Sequence, residues 1–419
     1  MALKTVAFCA VTTLCCVIGV GARFAHAGLT AGASLSVSER YTNNLYLSRT
    51  NPIGDLSTTA ALGVDLRFDE RAISGGVRYQ ATGVWYRQRR DQNRWSQQGE
   101  ADAALTALGR AVRGLDVRLS GSYSRAGELP GSLLGNQSPV TADGVRLPPT
   151  DTTQRRGAIA VGYPWSERFE SRLAYSFTAT RYEAFDLVGL ADVVPGTPAL
   201  TVQTHDSAVH SASLALRYRY SLLTTLTLTP GWSATRVDPV QGTPTLPSDT
   251  RTVGSLTAGV DYSASPVVTL GGRIGAMVVE DDQTRLTADA TVQRAWKRGL
   301  LRLAYRQGAG TGGGVTNTVS VTQGVTADGS MSLGAKTAAN VRFSYARNVS
   351  IPDQPSDPTL RVSTYEAGAG VSHELLRWLT GRLDYSFLTQ QARGIALDAH
   401  RHLVTVSLTA QAPPWPLLR

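Results

Sequence analysis

From Ser213 to Trp232, polar and apolar positions alternate one by one. Leu214, Leu216, Tyr218 and Tyr220 share one parity, and Ala215, Arg217 and Arg219 share the other. After Ser221-Leu222-Leu223 the pattern resumes, with Leu226, Leu228 and Trp232 set against Thr225, Thr227 and Thr229. Side chains of a strand point to opposite faces with period two. The stretch therefore predicts a two-faced hairpin, aliphatic and aromatic on one side, arginine and threonine on the other.

The same unit recurs along the chain. Short connections at residues 69–71, 110–114, 165–168, 221–223, 263–266, 296–299, 336–338 and 375–378 alternate with longer polar segments. The longer segments are residues 41–55, 88–97, 126–152, 183–198, 237–250, 307–314, 348–358 and 390–400, with one short acidic exception at 280–283. Arg172-Leu-Ala-Tyr175, Arg302-Leu-Ala-Tyr305, Arg342-Phe-Ser-Tyr345 and Arg382-Leu-Asp-Tyr385 each follow a short connection, with arginine and the aromatic on opposite parities. Short turns at one rim and long loops at the other predict an all-β fold: a transmembrane, antiparallel, up-and-down barrel of about 18 strands (16–18). The turns are periplasmic and the loops extracellular. Trp165, Phe169, Tyr218, Tyr220, Tyr262, Trp296 and Trp378 fall near the periplasmic rim, where amphipathic rings sit at the interface. A soluble sheet of this size would need a second sheet or helices over its apolar face. No helical segment of useful length is evident.

The start of the chain reads differently. Lys4 precedes an apolar run over residues 6–20 and then Gly21-Ala22-Arg23-Phe24-Ala25-His26-Ala27. A positive start, a short apolar stretch and a small-x-small end predict a secretory signal peptide at residues 1–27. The barrel is then expected over 28–410 and a tail over 411–419. Cys9, Cys15 and Cys16 all fall inside the signal segment, and no small residue precedes them as a lipoprotein site requires. Its removal leaves a chain without thiol, disulfide or Cys-ligated metal chemistry.

Composition narrows the picture. Mean hydropathy is −0.11, as a barrel that alternates polar with apolar residues should have. Lys+Arg number 41 and Asp+Glu 32, a net +9; without Lys4 and Arg23 this becomes 39 − 32 = +7. After residue 27 the only lysines are Lys297 and Lys336, so the positive charge is arginine spread singly along strands. That spread, behind a signal peptide, argues against nucleic acid as a partner.

If the apolar parity meets lipid, the other lines the lumen. The candidates facing it are Arg78, Arg118, Arg172, Arg217, Arg219, Arg273, Arg302, Arg342 and Arg382. The acids of the same parity are Asp65, Asp102, Asp116, Glu170, Asp261, Asp289, Glu366 and Asp384. Arginine on the lipid face near the midplane costs about 2–4 kcal/mol, so parity is a firm constraint. These charges read first as an ion-pair lattice stiffening the wall, and second as a lining that favours anionic or hydroxyl-rich solutes. Enzymatic chemistry has little to stand on. His205-Asp206-Ser207 holds the residue types of a hydrolytic triad, but neighbours on one strand cannot align as nucleophile, base and orienter. His400 and His402 share a face without a third metal ligand and read as a wet pair at a loop edge. Gly312-Gly313-Gly314 lacks the Lys-Ser/Thr of a phosphate loop. No catalytic residue, metal or cofactor is expected.

The segment Ser38-Glu39-Arg40-Tyr41-Thr42-Asn43-Asn44-Leu45-Tyr46-Leu47 resembles the opening strand and first loop of a family of outer-membrane β-barrel porins found beside exopolysaccharide and exosortase loci, the β-barrel porin 2 type. Members open with Glu-x-Tyr-Thr-x-Asn and continue with a run similar to Asp55-Leu-Ser-Thr-Thr-Ala-Ala-Leu-Gly-Val-Asp-Leu-Arg-Phe68. Trp378-Leu-Thr-Gly-Arg-Leu-Asp-Tyr-Ser-Phe387 is also similar to that family's later strands. The resemblance implies a Gram-negative outer-membrane conduit for secreted exopolysaccharide or capsular polysaccharide, working among outer-membrane lipids and with a periplasmic polysaccharide export protein. It carries no functional residue across. The alternative is a general or anion-preferring diffusion porin passing small anionic solutes; an outer-membrane barrel enzyme ranks below both. One departure stands out. Barrels usually end on an aromatic strand terminus, whereas here Ala410 is followed by Gln-Ala-Pro-Pro-Trp-Pro-Leu-Leu-Arg419. Either Trp415 takes the place of that aromatic or the tail extends into the periplasm.

Overall fold

A computed structural model of the chain describes residues 28–45, 52–126, 152–182, 206–238, 249–279, 283–310, 319–351, 361–393, 398–412 and 415–416. The signal segment, most of the long loops and the triglycine lie outside these residues. The strands are β1 (Gly28–Thr42), β2 (Asp55–Asp69), β3 (Ser74–Tyr86), β4 (Arg94–Ala104), β5 (Asp116–Ala126) and β6 (Thr152–Pro164). Next come β7 (Phe169–Tyr182), β8 (Asp206–Arg219), β9 (Thr224–Asp238), β10 (Asp249–Ser265), β11 (Val268–Val279) and β12 (Gln283–Trp296). The remainder are β13 (Gly299–Gly310), β14 (Val319–Ser332), β15 (Thr337–Ile351), β16 (Arg361–Leu376), β17 (Leu379–Arg393), β18 (Ala399–Gln411) and the short β19 (Trp415–Pro416).

From β1 to β18 each strand pairs antiparallel with the next, and β1 closes on β18, with Thr42 opposite Leu403 and Ser34 opposite Gln411. The result is a closed 18-strand wall. Strand lengths run from 11 residues in β4 to 17 in β10. A tilted strand needs about 9–11 residues to cross a bilayer, so each can span. Closure is what lipid demands: hydrocarbon offers no partner to a free sheet edge.

Register fixes the two faces all the way round. Leu35 stands opposite Leu62, Val64 opposite Tyr79, Leu173 opposite Leu214, Val341 opposite Ala369, and Leu408 opposite Val37. Leu35, Leu62, Leu173, Leu256, Ile274, Leu286, Val341, Leu383 and Val406 are all at least half exposed, a continuous apolar belt that only hydrocarbon can cover. Tyr218, Tyr262, Trp296 and Trp378 ring the inner rim, where Trp165 donates from Nε1 to Ser171 Oγ at 2.8 Å. An outer ring answers it, with Tyr41, the edge-to-face pair Trp85–Trp95 at 5.6 Å, and Tyr345 against Tyr365 at 4.8 Å.

Three of the inner turns are closed by a serine side chain. Ser166 Oγ accepts from the N–H groups of Arg168 and Phe169, Ser221 Oγ from Leu223, and Ser265 Oγ from Val267 and Val268, all within 3.3 Å. These are serine turns, in which a hydroxyl replaces a backbone carbonyl. One connection departs from the expected bare turn at 110–114. It contains a short helix α1 (Thr106–Ala111), whose Thr106 Oγ1 donates to Arg71 O at 2.8 Å and whose Ala107 N–H donates to Ala72 O. Gly114, at φ 87°, turns the chain back into β5. Six residues are too few to show a helical period in the sequence.

Strand ends also differ from expectation at the outer rim. β13 runs to Gly310, β15 to Ile351 and β17 to Arg393, each past the polar residue that suggested a loop. Asn348 and Gln390 point into the lumen, and Gln307 faces outward, where it accepts from Tyr305 Oη at 2.8 Å. At the C-terminus Trp415 and Pro416 pair with the wall. After Ala412, whose N–H donates to Ala33 O at 2.9 Å, Trp415 pairs with Ala31 and Pro416 with Thr30. The register of this short pairing on β1 differs by one residue from that of β18.

Candidate functional site

The lumen wall is the chemically distinctive surface. Arg78 (β3), Arg118 (β5), Arg172 (β7), Arg217 and Arg219 (β8), Arg273 (β11), Arg302 (β13), Arg342 (β15) and Arg382 (β17) all carry the parity opposite the apolar belt. Asp65, Asp102, Asp116, Glu170, Asp261, Asp289, Glu366 and Asp384 share it.

The structure sorts these arginines into two groups. Arg78 pairs with Glu100 (3.8 Å), Arg118 with Asp116 (3.0 Å), Arg217 with Glu170 (3.1 Å) and Arg342 with Asp328. Arg382 Nε donates to both oxygens of Asp384, at 2.9 and 2.7 Å. A glycine stands beside that pair: a Cβ on Gly370 would meet the Asp384 carboxylate. Arg172, Arg219, Arg273 and Arg302, by contrast, have no carboxylate within 4.0 Å among the described residues. Two of them share an acid that is already engaged. Asp289 stands opposite both Arg273 and Arg306 but pairs with Arg306 at 3.5 Å, and Asp328 stands opposite both Arg302 and Arg342 but pairs with Arg342.

Between β4 and β8 the wall recedes into a cavity of about 510 Å³. Its floor is small: Ser120, Ala158, Ala160, Ala174, Ser176, Ser211 and Ser213. Arg118 and Arg172 bound it towards the inner rim, Arg156 bounds it towards the outer rim, and Asp102 is the one acid lining it. Arg156, like Arg172, has no carboxylate partner among the described residues. Guanidinium groups above and below a hydroxyl-bearing floor suit a ligand with negative charge or many hydroxyls, because the planar fork donates to two oxygens at once. A second recess, of about 330 Å³, holds Arg273 and Arg302 with Asp261 and Asp289, so its charges balance.

Arg156 was not singled out from the sequence. It sits beside Arg155, and alternation alone cannot say which of two adjacent arginines faces inward. The register decides: Ile159 and Tyr175 face lipid together, so Arg155 does too and Arg156 enters the lumen.

Inward side chains near the outer rim are buried, among them Thr235, Val237, Asn348, Val362, Gln390 and Arg401. Two small apolar clusters, Leu45–Val84–Tyr86 and Val253–Met277–Val279, sit on the inward face at that end.

The remaining sequence candidates separate. His205 lies outside the described residues, and Asp206 and Ser207 occupy opposite faces of β8, Asp206 pairing outward with Arg181 at 3.7 Å. His402 lies at the edge of the first loop, its N–H donating to Asn43 Oδ1 at 2.7 Å. It faces lipid, its Nδ1 2.8 Å from Tyr385 Oη and its ring 4.9 Å from Phe387. His210 repeats the arrangement with Tyr175 and Phe177 on β7. In both places a Tyr-Ser-Phe strand gives the imidazole a hydroxyl partner inside the aromatic belt. No group of three or more metal-ligating side chains is found among the described residues.

A closed wall, apolar outside and charged inside, defines a transmembrane β-barrel of the outer-membrane type with a polar lumen. No family model matches the chain, and no curated protein matches it. Among solved structures it is similar to the siderophore receptor PirA from Pseudomonas aeruginosa, at a TM-score of 0.47 and 9% identity over 91% of this chain and 80% of that one. OccK1 (OpdK) from the same organism gives 0.46 and 11%, over 92% and 99%, and OccAB2 from Acinetobacter baumannii 0.45 and 10%, over 91% and 98%.

Proposed function

We propose that the protein is an outer-membrane channel whose lumen passes hydrophilic solutes by weak, repeated contacts with arginine and hydroxyl groups. The observation that carries this reading is the recess between β4 and β8, where Arg118, Arg156 and Arg172 face one aspartate across a floor of Ala and Ser. An 18-strand wall encloses more space than its own side chains fill, which leaves room for an aqueous path. The solute we favour is an exopolysaccharide or capsular polysaccharide in export, handed over by a periplasmic export protein. This rests on the resemblance of residues 38–47 and 55–68 to barrels beside polysaccharide loci, and the hydroxyl-rich floor supports it. The second reading, an anion-preferring diffusion porin, is favoured by the arginines that lack a carboxylate neighbour.

Single-channel recording of the refolded mature chain in a planar bilayer tests both. Anion-selective current that acidic or neutral polysaccharide chains interrupt is the result expected of an export conduit. Steady anion current that polysaccharides leave untouched would assign the porin reading instead. A folded, inserted barrel carrying no current under any condition would overturn both.

A further inference from the structure

The lipid-facing side of the wall carries charge where the apolar belt ends, and it does so unevenly. At the outer rim Arg125 (β5), Arg155 (β6), Arg181 (β7), Arg236 (β9), Arg347 (β15) and Arg361 (β16) all have outward parity. At the inner rim, among the described side chains, Arg294 on β12 is the one outward arginine. The signs are also uneven: outward acids at the outer rim are Glu39, Asp206 and Asp238, and the last two are clustered on β8 and β9.

Arg125, Arg155 and Arg181 stand on three successive strands. Thr153 is opposite Arg125 on one side and opposite Arg181 on the other, and Arg155 lies one outward position nearer the membrane, opposite Tyr123. The three guanidinium groups thus surround a threonine at the upper edge of the aromatic belt. Adjacent strands are about 4.8 Å apart and alternate residues of a strand about 7 Å apart, so one tetrahedral anion lies within reach of all three side chains. All three are exposed; Arg125 has a partner of its own, Arg181 touches Asp206 at 3.7 Å, and Arg155 has no carboxylate partner among the described residues. Like charges set close together on a sheet face repel, and the repulsion is relieved when an anion sits between them.

We propose that Arg125, Arg155 and Arg181 form a binding site for the phosphate groups of the phosphorylated glycolipid in the outer leaflet. The location selects a lipid rather than a passing solute, because these side chains are outside the lumen and level with lipid headgroups. The site rests on the outer-membrane reading of the barrel but not on what the lumen carries.

The test uses the mature barrel in mild detergent, titrated with bisphosphorylated lipid A and with the same lipid dephosphorylated, bound lipid being counted by native mass spectrometry. Wild type is expected to retain the phosphorylated form and release the dephosphorylated one. The triple variant Arg125→Gln, Arg155→Gln, Arg181→Gln should bind more than about tenfold more weakly, and Arg155→Gln alone should weaken binding measurably. Arg294→Gln should not change it. Equal retention by wild type and the triple variant would overturn the site, as would equal binding of dephosphorylated lipid A. Inorganic phosphate that displaces the lipid at equal concentration would assign the arginines to free anions and overturn the glycolipid. Arg155→Gln covers the case in which the triple variant fails to close as a barrel. Conductance of the same preparations reports on the channel independently, so silence there leaves the lipid count as it stands.

Discussion

Asn43 and Asn44 occupy the part of the chain that most resembles known barrels, and they hold the place where this barrel closes. The His402 N–H donates to Asn43 Oδ1 at 2.7 Å, and Asn44 Nδ2 donates to His400 O at 2.9 Å, both across the β1–β18 seam. A short polar side chain at the end of β1 thereby continues the ladder for two residues after the strand stops. Replacing both with alanine should lose about 1 kcal/mol per bond and lower the urea midpoint of the barrel, followed by tryptophan fluorescence. The same scale separates the lumen arginines. Those tied to a carboxylate serve the wall; Arg156 and Arg172 are available to a solute. The double variant Arg156→Gln, Arg172→Gln should lower the anion-to-cation permeability ratio roughly twofold at low salt, about 0.4 kcal/mol. The effect should shrink near 1 M salt, where screening acts over about 3 Å; reversal potentials in a salt gradient measure it.

At the scale of the strand, parity is the governing constraint. Val406 faces lipid near the middle of β18 and Thr405 faces the lumen beside Asp384. Val406→Arg should destabilise the folded barrel by about 2–4 kcal/mol, whereas Thr405→Arg, one residue away, should be tolerated because it gains an acidic neighbour. Heat-modified mobility on a gel and unfolding midpoints compare the two directly. The turns show the same economy of means, with Ser166, Ser221 and Ser265 supplying acceptors where a glycine turn was not needed.

For the whole molecule, closure turns one sheet into two environments. Outside, the belt from Leu35 to Leu408 meets hydrocarbon; inside, ion pairs such as Arg217–Glu170 and Arg382–Asp384 brace neighbouring positions while unpaired arginines stay open to water. In the proposed channel, charged groups distributed around the wall, instead of converging on one point, serve passage.

Alternation by itself determined the strands, their two faces, the side of the wall for Arg78 through Arg382, and the approximate strand count, because a period of two is a local property that each residue states independently. It misjudged what is not periodic: α1 at Thr106–Ala111 and the strand ends at Gly310 and Arg393. Tertiary structure decided the rest. Which strand meets which, and at what register, chose Arg156 over Arg155 for the lumen and gathered Arg125, Arg155 and Arg181 on the opposite face. The seam at Asn43 and Asn44, and the recess between β4 and β8, join residues far apart in the chain. Such encounters depend on pairing across strands, and no pattern along a single strand contains them.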